Sequence, residues 1–102
     1  MNARSSRRYA LQVPVELLDS GRDRISGLLV ELTLETARIS QLGDRCYAPG
    51  DRVTVKTGCG RTLPGFVRFA RLGVAGVQFD EALHLNELGE WVTACREELA
   101  AA

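Results

Sequence analysis

The sequence has no excess charge of either sign: thirteen Lys and Arg offset thirteen Asp and Glu, with a single histidine besides. Neutrality argues against general coating of nucleic acid or of an anionic membrane, which needs a basic surplus. Apolar runs are short. Stretches such as "LLV" within "GLLVEL" fall far below the ~18 residues a membrane-spanning helix requires. The N-terminus carries charge but no hydrophobic stretch of the kind found in export signals, because Gln12, Pro14 and Glu16 interrupt the apolar positions. Cysteine is scarce. Cys46, Cys59 and Cys95 are odd in number and form no CxxC, so neither a disulfide framework nor a zinc site is indicated. Three reduced thiols and no export signal fit a cytoplasmic protein.

Catalytic patterns are also missing. His84 has no Cys or carboxylate at a catalytic spacing, and nothing matches a nucleophile elbow, a phosphate-binding Gly-rich loop or a His-Glu-x-x-His zinc motif. No enzyme activity, metal or cofactor is expected. Aromatic residues make up 6% of the chain, and strict alternation puts Phe66 and Phe69 on opposite strand faces. That weakens a third reading, a small barrel that stacks single-stranded nucleic acid on aromatics.

What is present is a two-residue period. Leu11, Val13, Val15 and Leu17 alternate with Gln12, Pro14 and Glu16, which predicts a half-buried strand over 10–18. Pro14 lacks an N–H and belongs at an edge or a bulge. Further strands are expected over 24–34, 36–42, 52–57, 63–72 and 74–80, with Ala37, Ile39 and Gln41 on one face and Arg38, Ser40 and Leu42 on the other. "DSGRD", "GDRCYAPGD" and "GCGRT" supply turns. Short strands with Gly-rich turns imply one antiparallel all-β domain over 1–102, closed as a barrel or sandwich. The period then changes: Leu85, Leu88, Trp91, Val92, Cys95 and Leu99 recur at helical spacing, predicting a helix over 84–100 with Asn86 as N-cap. Gly89 weakens that helix by about 1 kcal/mol relative to Ala.

Charge is unevenly placed within the neutral total. Residues 1–8 hold Arg4, Arg7 and Arg8 and no acid, while residues 80–98 hold six acids against Arg96. Guanidinium groups grip phosphate bidentately and stack on purine faces. A flexible Arg-rich arm over 1–9, ahead of the barrel at 10–80, is a device for closing over an anionic nucleotide.

Two stretches carry a family resemblance. "RSSRR" (4–8) reads as RxxxR ahead of the first strand, and "ELTLETARI" (31–39) stands where [D/N]xSxxG is expected. With "APGDRVTVK" (48–56) and "LPGFVRFARLGVAGVQFDE" (63–81), the chain resembles the PilZ domain family of bacterial cyclic di-GMP receptors over nearly its whole length. The resemblance implies a six-stranded antiparallel β-barrel with a C-terminal α-helix. It implies Arg4 and Arg8 as ligand clamps, Arg7 as an auxiliary, and Glu31 and Thr33 as readers of the guanine edges. Thr36 takes the position of the motif glycine.

All three residues of the second motif are altered. Glu31 is one methylene longer than Asp, Thr33 adds a methyl to Ser, and a β-branched Thr36 opposes a positive φ or close ligand approach. One lost hydrogen bond to a charged group costs about 1.5–3 kcal/mol, or one to two decades of affinity. The expected function is a cyclic di-GMP receptor of reduced affinity that signals to a protein partner, such as a motility or secretion component. The alternative is an adaptor on the same barrel that binds no nucleotide.

Overall fold

The computed structural model describes residues 8–21, 23–44, 47–58, 60–84, 86–90 and 93. Six strands form: β1 (Tyr9–Asp19), β2 (Arg24–Leu32), β3 (Thr36–Ser40), β4 (Arg52–Thr57), β5 (Thr62–Arg71) and β6 (Val74–Phe79). All pairings are antiparallel, and the order β1-β2-β3-β6-β5-β4 closes on itself as a barrel. Closure leaves no strand edge to aggregate. The inward residues fill the small lumen, with Val13, Leu17, Leu29, Ile39, Val55 and Val67 wholly excluded from solvent.

Alternation breaks at three bulges, between Ala10 and Val13 in β1, Leu29 and Glu31 in β2, and Val67 and Phe69 in β5. A bulge inserts one unpaired residue and reverses the facing of everything after it. Pro14 lies just past the β1 bulge and one residue outside the β4 ladder, which begins at Val15. A residue without an N–H is tolerated there.

The expected facing at the end of β3 is corrected. Gln41 is exposed at φ 61°, and Leu42, not Gln41, enters the core. The left-handed residue turns the chain, so the period of two ends at Ser40. Leu42 N–H then donates to the Gly73 carbonyl at 2.9 Å.

Residues 86–90 and 93 are helical. The N-cap is His84, not Asn86: its carbonyl accepts from Leu88 N–H at 2.9 Å, and Glu87 Oε1 accepts from His84 N–H at 3.0 Å. That is the Glu half of a capping box, three residues into the helix. Leu83 and Leu88 bury against the barrel core. Leu85, Trp91, Val92, Cys95 and Leu99 of the helical stripe lie outside the described residues, as do Cys46 and Cys59. Among the described residues no helix is long and apolar enough to cross a membrane.

Candidate ligand-binding groove

The turn between β2 and β3 is built by Thr33. It is buried, and its Oγ1 accepts from Glu35 N–H at 3.1 Å and Thr36 N–H at 2.9 Å. The same oxygen lies 2.8 Å from Thr36 Oγ1, and Thr33 N–H donates to the Thr36 carbonyl at 2.9 Å. The Thr33 hydroxyl is thereby committed to the turn. Thr36 begins β3 with no positive φ, so its backbone places no demand for glycine. Its side chain borders the groove described next.

A row of outward positions crosses the barrel wall. Ala10 pairs with Glu31, Glu31 with Arg38, Arg38 with Gly76, and Gly76 with Phe69. Two bulges create this row. Without the extra residue Val30, Glu31 would oppose Ala37, which points into the core; with it, Glu31 faces out beside Arg38. Without Arg68 as the extra residue of β5, Phe69 would oppose the buried Ala75. The expectation that Phe66 and Phe69 lie on opposite faces is therefore corrected: the bulge between them brings Phe69 to the outer face, where Phe66 also lies.

A groove of about 380 Å³ follows the row, lined by Glu31, Thr36, Arg38, Arg68, Phe69 and Gly76. Glu31 Oε1 lies 3.2 Å from Arg38 Nη2, and Oε2 lies 3.8 Å from Arg8 Nε. Arg8 is largely exposed, whereas the Glu31 side chain is mostly covered. Arg68 Nη1 donates to Gln78 Oε1 at 3.1 Å. The structure thus joins Arg8, the last arginine of the arm, to Glu31 of the second motif. Arg4 and Arg7 lie outside the described residues.

Four groove residues escaped the sequence reading: Arg38, Arg68, Phe69 and Gly76. One signal was available. The apolar positions of β2 switch from odd (Ile25, Leu29) to even (Leu32), which marks a bulge and re-aims Glu31. Elsewhere, Arg52 and Asp80 form a bidentate pair at 2.8 and 2.5 Å. The hydrogen bonds from Arg52 hold the Asp80 carboxyl below the usual carboxylate range. Among the described residues, no group of three or more His, Cys, Asp or Glu is placed to hold a metal.

The architecture is that of a PilZ-type barrel. It superposes on the crystal structure of the PilZ domain of CeSA from a cellulose-synthesizing bacterium with a TM-score of 0.68. The match has 16% identity and covers 89% of this chain and 96% of that one. No protein-family model matches the chain, and no curated protein does.

Proposed function

We propose that the protein is a cyclic di-GMP receptor whose arginine arm folds onto the groove when ligand binds, presenting a new surface to a protein partner such as a motility or secretion component. The observation that carries this reading is the meeting of Arg8 with Glu31, which puts the end of the RxxxR arm at the second motif. Arg4 and Arg8 clamp the phosphates, Arg7 assists, and Glu31 accepts from guanine N–H groups. Thr33 serves by fixing the turn, and Thr36 borders the site.

In the free protein, Glu31 occupies the two guanidinium groups nearest it, Arg8 and Arg38. A ligand phosphate must compete with that carboxylate for Arg8, which lowers affinity. Calorimetric titration with cyclic di-GMP tests the reading. Heat in the wild type and none in Arg4→Ala/Arg8→Ala is expected; heat that survives in the double variant contradicts the clamp.

A second reading, the adaptor that binds no nucleotide, is favoured by one observation. The Thr33 hydroxyl and the Glu31 carboxylate are both already engaged within the chain. Absence of heat in the wild type at high micromolar protein selects it.

A further inference from the structure

Phe69 is one of two large apolar residues exposed among those described, at 43%, and it is not loosely held. Its ring covers Gly76 so closely that a Cβ at position 76 would collide with the ring carbons. Gly76 is buried for that reason, although its neighbours Ala75 and Val77 point inward and it points out. The ring therefore leans from β5 across β6, with its inner face on the glycine backbone and its outer face open beside the groove.

On the other side of β3, Glu31 leans toward Arg38. The backbones of Glu31 and Phe69 are three strand steps apart, roughly 14 Å. Both side chains reach inward along the row, so the gap between ring and carboxylate narrows to about one strand spacing, ~5 Å. Arg38 lies in that gap and Arg68 adjoins it.

We infer that Phe69, seated on Gly76, is a stacking platform for a purine base, and that Glu31 selects guanine at its edge. The chemistry is specific to a guanine nucleotide. An open aromatic face takes any base, but a carboxylate accepts from the adjacent N1–H and N2–H of guanine and repels the N1 acceptor of adenine. Arg38 and Arg68 supply donors for the attached phosphate. The inference rests on the nucleotide-receptor reading above for cyclic di-GMP in particular, but it concerns residues outside both motifs.

The test titrates cyclic di-GMP, guanosine 5′-monophosphate and adenosine 5′-monophosphate into wild type, Phe69→Leu, Phe69→Tyr and Gly76→Ala, following the ligand H8 resonance by NMR. Loss of a base–aromatic stack corresponds to a roughly 5- to 150-fold weaker Kd. The expected pattern is an upfield H8 shift with guanine ligands in wild type, a fall in that range in Phe69→Leu, near-unchanged binding in Phe69→Tyr, and weaker adenine binding. Gly76→Ala, which dislodges the ring, should resemble Phe69→Leu. Equal affinity in Phe69→Leu and wild type overturns the platform and leaves the receptor reading standing. Binding of the mononucleotide through Phe69 without binding of cyclic di-GMP supports the platform and removes the receptor reading. No purine ligand bound at millimolar concentration overturns both.

Discussion

Thr33 shows how a motif position can change its work while keeping its chemistry. A hydroxyl at this site suggests a ligand contact, and the sequence reads it so. In the fold, that oxygen accepts two backbone N–H groups from its own turn and meets the Thr36 hydroxyl. Thr33→Val keeps the volume and strands those donors. It should lower stability by about 1–3 kcal/mol. A domain of this size loses ~4–8 °C of Tm per kcal/mol, which thermal unfolding will register. Leu72 sits at the opposite extreme, 93% exposed with φ 52° at the β5–β6 turn. A left-handed backbone costs a γ-branched residue about 1–2 kcal/mol. Leu72→Asn should therefore raise Tm, and a fall would mean that the side chain makes a stabilising contact.

At the scale of the element, the strands were legible and the bulges were not. The span 52–57 agrees with β4 residue for residue, and the other five strands lie within two residues of their expected ends. Alternation of apolar side chains carries that information. A bulge is one inserted residue, and its signature is a single change of parity in a short run. In β5 the run Leu63, Gly65, Val67, Phe69 keeps its parity, so nothing local betrays that Phe69 faces out. Only the pairing with Gly76 reveals it. The RxxxR and "ELTLET" stretches were visible as patterns, whereas Arg38 and Arg68 become site residues only through cross-strand register. The helix offers a test at this scale. Gly89 is exposed in a helical segment, with open space where a Cβ would stand. Gly89→Ala should stabilise by up to about 1 kcal/mol in denaturant unfolding, with an unchanged m-value.

Across the whole molecule, the barrel is held by a filled lumen and a closed hydrogen-bond circuit, with one well-formed ion pair on its surface. Arg52 at the start of β4 reaches across β5 to Asp80, just beyond β6. Asp80 has its carboxyl pKa lowered in the fold, so its contribution is present above the ordinary Asp value of about 3.9 and fades as pH falls through the lower folded value. Asp80→Asn should melt below wild type at neutral pH, and the two should converge as the solution is acidified. A gap that stays constant down to about pH 2.5 would mean that the carboxylate charge is not what stabilises.

The central claim is that the arm and the outer row of β2, β3, β6 and β5 form one nucleotide site. Backbone amide shifts recorded during a titration of the wild-type protein with cyclic di-GMP test it most directly. The account predicts saturable shifts at Arg8, Glu31, Arg38, Phe69 and Gly76, with the β5–β6 turn at Leu72 unmoved. Saturable shifts confined to that turn and its neighbour Leu42, or no shifts at millimolar ligand, would contradict it.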